Sequence, residues 1–134
     1  MKLYLLDTDI ASYIIKGQFP QMNQKLLALQ PQQLCISAAS KAELMYGLKR
    51  LAANHHLLVS VKKFLEIVRV LDWPADAATW YADIRLQLVS KGTAIGEKDM
   101  MIAAHALSLS AVLVSNNQKH YKRIAAPLLL ENWL

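Results

Sequence analysis

The chain carries very little cysteine and no long apolar run, and both absences limit what it can be. Its one thiol, Cys35, lies in an apolar, strand-like segment of the 134 residues. A single cysteine excludes an internal disulfide and is typical of a reducing cytoplasm. No stretch reaches the ~20 apolar residues that a membrane-spanning helix needs. The apolar run at the N-terminus is interrupted by Asp7 and Asp9, which argues against a secretory signal peptide. We therefore expect a cytoplasmic protein that does not enter a membrane.

The sequence also lacks internal repeats, polar low-complexity tracts and any linker that would divide it. Of its residues, 54% are apolar, so a chain of this length can bury a core without disulfide or metal cross-links. We expect one domain that covers residues 1–134.

The charge balance is basic, with 15 Lys and Arg against 10 Asp and Glu and a formal net charge of +5. Such a balance fits either an ordinary solvated surface or a polyanionic partner, and charge alone favours the surface. The densest basic area lies on two successive predicted helices and comprises Lys49, Arg50, Lys62 and Lys63. If the partner is a nucleic acid, these side chains are candidates for holding its phosphate backbone.

Short apolar segments alternate with segments of helical periodicity along the whole chain. The pattern predicts strands near residues 2–6, 33–37, 68–72, 111–115 and 128–130, with helices between them. The second helix is expected over 19–30, where Gln30-Pro31 would end it. Alternation of this kind predicts an α/β fold whose central, mostly parallel sheet of four or five strands is flanked by helices. Two antiparallel helices between the second and third strands form a hairpin that could project from the sheet.

Polar side chains stand where the predicted strands end or the next helices begin: Asp7, Thr8, Asp9, Glu43, Glu97, Asp99, Asn116 and Asn117. In an open α/β sheet such positions converge on one edge, where ligands bind. Carboxylates gathered there repel one another unless a cation neutralises them. An oxygen-only ligand set favours Mg²⁺ or Mn²⁺ over zinc. An ion of this kind can activate a water molecule and stabilise charge on a phosphate.

Each of these residues also has a purely structural interpretation. Asp7 or Asp9 could cap the first helix, and Ser40 with Glu43 has the spacing of a capping box. Asp99 could simply sit at a positive helix end, and Asn117 could make a turn. Capping alone does not require oxygen ligands at four such strand-end positions. The joint placement therefore favours a metal site with Asp7 as a ligand. Asp9 is then a cap or a rim residue.

Six stretches follow one another along nearly the whole chain. They are Leu5-Leu6-Asp7-Thr8-Asp9; Ile36-Ser37 through Ala42-Glu43-Leu44-Met45-Tyr46-Gly47; Ile84-Arg85 through Lys91-Gly92-Thr93; Ile95-Gly96-Glu97-Lys98-Asp99 through Ile102-Ala103-Ala104-His105-Ala106; Val112-Leu113-Val114-Ser115-Asn116-Asn117; and Glu131-Asn132-Trp133. In this order and spacing they resemble the PIN-domain ribonucleases, specifically the VapC toxins of bacterial toxin–antitoxin pairs.

The resemblance implies a single PIN domain that cleaves RNA with the help of Mg²⁺, for which Mn²⁺ could substitute. It implies Asp7, Glu43 and Asp99 as catalytic carboxylates, the first and last of them as metal ligands, with Thr8 and Asn117 in support. It also implies a homodimer and a cognate antitoxin that inserts a segment into the acidic groove. The Gly-Thr-x-Ile-Gly-Glu-x-Asp loop and the Asn-Asn pair are similar to those of the enzymes that cut initiator tRNA in the anticodon loop.

The chain departs from that subgroup at two positions. The subgroup usually reads Asn-Asn-x-x-Glu-Phe, whereas this chain has His120 in place of the acid. Asp9 stands where an Asn is common, and this adds a carboxylate to the rim.

Two other functions remain open from the sequence. A haloacid-dehalogenase-type phosphatase also places Asp-x-Asp after its first strand, but it expects Thr or Val where this chain has Ala11, and it gives Glu43 no role. A non-catalytic PIN-like binding module would have no need to keep the acidic residues together. For the nuclease we expect water, oriented by Glu43 or Asp99, to attack a phosphodiester and leave 5′-phosphate and 3′-hydroxyl ends.

Overall fold

A computed structural model describes residues 1–134, and its centre is a five-stranded sheet. The strands are β1 (Tyr4–Leu6), β2 (Leu34–Ser37), β3 (Arg69–Leu71), β4 (Val112–Val114) and β5 (Leu129–Glu131). Their order across the sheet is β3-β2-β1-β4-β5, and every neighbouring pair is parallel. The predicted α/β fold with a parallel sheet is therefore confirmed.

Seven helices connect the strands: α1 (Thr8–Lys16), α2 (Met22–Leu27), α3 (Ala38–Lys49), α4 (Leu57–Ile67), α5 (Ala77–Ser90), α6 (Glu97–Leu109) and α7 (Gln118–Tyr121). Gly17 ends α1 in the left-handed conformation (φ 63°), a backbone geometry that glycine adopts without a side-chain clash. The second helix is shorter than the predicted 19–30, because Pro20 lies in a turn and Pro31 opens a separate 3-10 turn. None of the helices has the length and apolar character needed to cross a membrane.

Alternate residues of each strand supply the cores on the two faces of the sheet. Leu5 and Leu113 point into a core that α5, α6 and α7 complete. Leu6, Ile36 and Val114 point to the opposite face, where residues of α1, α3 and α4 cover them. All five of these side chains are fully buried, so the strands are covered on both faces, as is normal for a parallel sheet.

The strand order reverses at β1, which places a ligand-binding crevice at its carboxyl end. Leu6 pairs with Ile36 on one side and with Val114 on the other. The next residue of each strand segment is therefore at the same level: Asp7, Ser37 and Ser115. The backbone N–H of Asp7 continues the ladder by donating to the Val114 carbonyl at 3.0 Å.

The predicted helical hairpin consists of α3 and α4, and α1 packs against both helices. Val61 and Phe64 anchor α4 in the core beneath α1. An open groove lies between these three helices and leads toward the carboxyl end of β1.

Candidate active site

Asp7 is both a helix cap and a buried carboxylate. Its side chain accepts a 2.8 Å hydrogen bond from the Ile10 N–H and caps α1. Only 5% of the residue is exposed. Burial raises the pKa of this carboxyl to about 6, and the nearby charges of Asp9 and Asp99 add to the rise. The Ser115 hydroxyl and the Ile10 N–H oppose the shift. The charged form of Asp7 is thus costly here, and a bound cation would offset that cost.

Thr8 connects the first strand to Glu43. The Thr8 Oγ1 atom lies 2.8 Å from Glu43 Oε1 and 3.0 Å from Ser40 Oγ. Since the Thr8 hydroxyl has one proton, both contacts are satisfied when it donates to Glu43 and accepts from Ser40. The hydrogen bonds that join Ser40, Thr8 and Glu43 therefore fix the direction of the Glu43 carboxylate.

The capping-box interpretation of Ser40 and Glu43 is wrong. The helix begins at Ala38, and its cap is Ser37, whose Oγ accepts from the Ala39 N–H at 3.2 Å. Because the hydroxyl at the end of β2 already caps the helix, Ser40 lies inside the first turn and is fully buried. Both Ser40 and Glu43 are therefore directed toward Thr8 rather than toward the helix N-terminus.

Asp99 lies in the first turn of α6, as predicted, but it does not cap the helix; the N-cap residue is Gly96. Its Oδ1 accepts a 3.3 Å hydrogen bond from the buried Tyr121 hydroxyl. Burial raises the pKa of Asp99, and the charges of Asp9 and Glu43 contribute to the rise. Burial and the neighbouring carboxylates also raise the pKa of Tyr121, which keeps its hydroxyl protonated as a donor. The charges of Asp7, Glu43 and Asp99 are thus close enough to interact, and the three carboxylates form one electrostatic region at the same sheet edge.

Two further charged residues border this region. Lys98 Nζ lies 3.7 Å from Glu43 Oε2 and links α6 to α3, although its side chain is 68% exposed. A pair this open is screened by solvent and contributes little stability. Asp9 is exposed in the first turn of α1. It is therefore a rim residue and not a cap.

Asn117 follows β4 and is held by its neighbours. Its backbone N–H donates to Ser115 Oγ at 2.9 Å, and its Nδ2 lies 2.8 Å from Nδ1 of His120. The predicted turn describes Asn117 only in part. The residue occupies the N-cap position of α7, but its side chain makes no cap bond.

The donor set fits a hydrated magnesium ion better than a closed metal cage. No group of three His, Cys, Asp or Glu side chains converges tightly enough to hold a metal by itself. Mg²⁺ commonly keeps several waters and uses only one or two carboxylates. Asp7 and Asp99 supply two partly or fully buried carboxylates with raised pKa values and no basic partner in an ion pair. These residues therefore fit such an ion.

A groove of about 570 Å³ extends from Thr8 and Glu43 between α1, α3 and α4. About half of its lining residues are apolar, and its basic lining residues are Lys16, Arg50 and Lys98. Of the four predicted phosphate-binding residues, only Arg50 lines it; Lys49, Lys62 and Lys63 are exposed elsewhere on the hairpin. Arg50 stacks over the Tyr46 ring with its guanidinium carbon 5.7 Å from the centroid.

Sequence reasoning missed the roles of several residues at this edge: Ser40, Lys98, Ser115 and Tyr121. Ser115 could have been found, because it follows an apolar strand just as Asp7 does. Tyr121 and Lys98 carry no local signal, since their contacts depend on how α6 and α7 pack.

Comparison with known proteins agrees with this geometry. The PIN domain family model matches residues 4–127. The chain is 36% identical to ribonuclease VapC2 of Rickettsia felis, covering 98% of each chain. It is 35% identical to the tRNA(fMet)-specific endonuclease VapC of Salmonella typhimurium, covering 99% of each. The crystal structure of DNA-bound VapBC from Salmonella typhimurium contains a chain that superposes with a TM-score of 0.91 at 33% identity, over 100% of both chains. A phosphatase of the haloacid dehalogenase type is set aside: the chain belongs to the PIN domain family, and within it to the VapC ribonucleases.

Proposed function

We propose that this protein is the toxin of a toxin–antitoxin pair, a Mg²⁺-dependent endoribonuclease that cleaves tRNA and is neutralised by a cognate antitoxin. The observation that carries the proposal is the meeting of Asp7, the Thr8–Glu43 pair and Asp99 at one sheet edge. The raised pKa values of Asp7 and Asp99 make their carboxylates costly to keep ionised, and such groups are typical of functional sites. Mn²⁺ is expected to substitute for Mg²⁺, since both prefer oxygen ligands.

The proposed chemistry assigns a separate task to each side chain. Asp7 and Asp99 would hold the ion, which when bound lowers the pKa of a water molecule and offsets charge on the scissile phosphate. Glu43, held in direction by Thr8, accepts the proton of the attacking water. Tyr121 donates to Asp99 and keeps that carboxylate in place. We expect the attacking oxygen to bond to phosphorus as the P–O3′ bond breaks. The departing 3′-oxygen takes a proton from solvent, which leaves 5′-phosphate and 3′-hydroxyl ends.

A tRNA substrate is supported by the groove and by the relatives. The open groove beside the acidic edge can admit a single-stranded loop, the part of an RNA whose bases and phosphates are most accessible. Lys16, Arg50 and Lys98 would contact its phosphates, with Lys49, Lys62 and Lys63 acting only at longer range. A relative named as a tRNA(fMet)-specific endonuclease supports initiator tRNA as the target, and cleavage in its anticodon loop is our proposal. Such a substrate and the single thiol together favour action in the cytoplasm.

The same groove is our candidate for the antitoxin. Its apolar wall, formed by residues such as Leu44, Leu48 and Val61, could bury the apolar side of a protein segment. Similar chains occur in VapBC complexes, which supports a bound partner of this kind. We also propose a homodimer, to be measured by sedimentation equilibrium of the chain without its antitoxin.

The test is cleavage of a panel of purified tRNAs by the purified chain, with Mg²⁺ and with EDTA. We expect one tRNA to be cut at a single position, only with the divalent ion, and 5′-phosphate at the new end. Asp7→Asn should abolish cutting, whereas Asp9→Asn, two residues away and exposed, should keep most of it. Full activity in Asp7→Asn or in EDTA would refute the site. Hydrolysis of a small phosphomonoester with every RNA intact would refute the ribonuclease itself.

A non-catalytic binding module is the alternative function, and it makes a different prediction. Calorimetric titration of the wild-type chain with Mg²⁺ and Mn²⁺ should give binding that Asp7→Asn weakens. Absence of any binding at millimolar concentration, together with intact RNA, would favour the binding module.

A further inference from the structure

The single turn α7 carries a histidine that the proposed chemistry does not use. His120 Nδ1 lies 2.8 Å from Nδ2 of Asn117. An amide nitrogen only donates, so the imidazole Nδ1 accepts and the ring proton is on Nε2. The contact therefore fixes both the tautomer of His120 and the direction of the Asn117 carboxamide.

Asn117 is held so that its side-chain oxygen remains free. Its backbone N–H donates to Ser115 Oγ, and its carbonyl accepts from the N–H groups of His120 at 3.2 Å and Tyr121 at 3.4 Å. Its side chain is not used as the cap of α7, and its one side-chain hydrogen bond goes to His120. Ser115 also acts on the Asp7 carboxyl. Asn117 is thus tied to the edge that carries Asp7, with Oδ1 available as an acceptor there.

The residue type at position 120 has an electrostatic consequence. His120 lies within electrostatic range of Asp99, and the adjacent Tyr121 bonds to the same carboxylate. A carboxylate at position 120 could accept the same Asn117 proton, but it would add a negative charge to the crowded acids. An imidazole at this position orients Asn117 without adding a negative charge to the acids.

We propose that His120 is a positioning residue for RNA cleavage, which holds the Asn117 carboxamide through Nδ1 and leaves the Asn117 Oδ1 as an acceptor for the attacking water. The proposal rests on the proposed ribonuclease function. It extends that function to a residue where the chain departs from the acid usual in the subgroup it resembles.

Two substitutions of His120 separate positioning from a general structural role. In His120→Asn the carbonyl oxygen stands where Nδ1 stood and can accept the same proton. In His120→Gln the oxygen is one bond farther along the side chain, near the position of Nε2. Loss of a partner that orients a site residue commonly costs ~10–100-fold in activity. We therefore expect His120→Gln to lower kcat by that factor with KM changed less than about threefold, and His120→Asn to keep kcat within about threefold of wild type.

A measurement without RNA or metal accompanies the kinetics. Nitrogen-15 spectra should show a protonated Nε2 and an unprotonated Nδ1 on His120, as the contact with Asn117 requires. In the wild type, the side-chain N–H of Asn117 that bonds to His120 should have a proton chemical shift displaced from the usual amide value. That displacement should persist in His120→Asn and change in His120→Gln. Equal kcat for all three proteins, or a protonated Nδ1, would overturn the proposal. If wild type cleaves no RNA, the ribonuclease function fails, and the spectra alone then decide whether His120 orients Asn117.

Discussion

Replacing Asp7 with asparagine removes a buried charge while it keeps the shape of the side chain and the helix cap. The pKa of Asp7 is raised from 3.8 to about 6. Each pKa unit is worth about 1.36 kcal/mol, so ionised Asp7 lowers the free energy of unfolding by about 3 kcal/mol at neutral pH. Asparagine is as good an N-cap as aspartate and can still accept from the Ile10 N–H. We expect metal-free Asp7→Asn to be more stable than wild type by about 2–3 kcal/mol, or about 10 °C in Tm for a chain of this size.

The pH dependence gives this prediction its sign. Between about pH 4 and pH 6 the native wild-type chain binds more protons at Asp7 than the unfolded chain does, so its stability falls as pH rises. In Asp7→Asn this position carries no titratable group, so that variant does not lose stability at position 7 as pH rises. The stability difference between the two proteins should therefore be small near pH 4 and reach its full size above about pH 6.5. Taking the difference removes the contribution of His105, whose buried imidazole has a lowered pKa and acts in the opposite direction.

The assay is thermal and urea unfolding followed by circular dichroism, in EDTA across this pH range, with exposed Asp9→Asn as the matched control. Adding Mg²⁺ at ten times its Kd should stabilise wild type by about 1.4 kcal/mol and leave Asp7→Asn nearly unchanged. The gap between them should therefore narrow with Mg²⁺. A gap that does not grow with pH, or a wild type at least as stable as Asp7→Asn at about pH 8 in EDTA, would refute the buried-charge reasoning.

Three further predictions follow from contacts at the site and in the core. Thr8→Val should lower kcat for RNA cleavage by ~10–100-fold with little change in Tm, whereas Thr8→Ser keeps the hydroxyl that bonds to Glu43 and should stay near wild type; equal loss in both would contradict this. Arg50→Ala should reduce the salt slope of RNA binding in EDTA by about 0.7, the value for one single-strand phosphate contact. Lys62→Ala, outside the groove, should not change that slope. His105→Leu removes two buried ring nitrogens that have no hydrogen-bond partner, and it should raise the free energy of unfolding by about 1–2 kcal/mol at neutral pH, as measured by urea unfolding; a lower value would show that the imidazole is needed for packing.

The sheet and the acidic edge were predictable because both depend on patterns within a few residues. Apolar runs that end on Asp7 and on Ser115 mark buried strands whose next residue leaves the sheet. Parallel pairing then brings such ends to one level, whatever their distance along the chain. The carboxylates at this edge could therefore be named as candidate site residues from the sequence, before any distance between them was known.

The supporting contacts could not be predicted, because they depend on the rotation of helices about their axes. Ser40 and Glu43 have the spacing of a capping box, yet the residue that caps the helix is Ser37. Because the helix begins earlier, Ser40 is directed toward Thr8, which is 32 residues away in the chain. Which of the four predicted basic residues face the groove also depends on helix rotation. Arg50 faces the groove, while Lys62 and Lys63 lie on the outer side of α4.

Capping and ion binding turn out not to compete for Asp7. The cap bond from Ile10 fixes the carboxylate at the end of β1, between β2 and β4, where the residue is almost completely buried. That position excludes water, and the lack of water raises the pKa. Asp9, two residues later, is exposed and does not cap the helix. The helix cap is thus what puts one of the two acids where its charge needs a cation, and the resulting loss of apo-protein stability is the kind of cost that functional sites commonly impose.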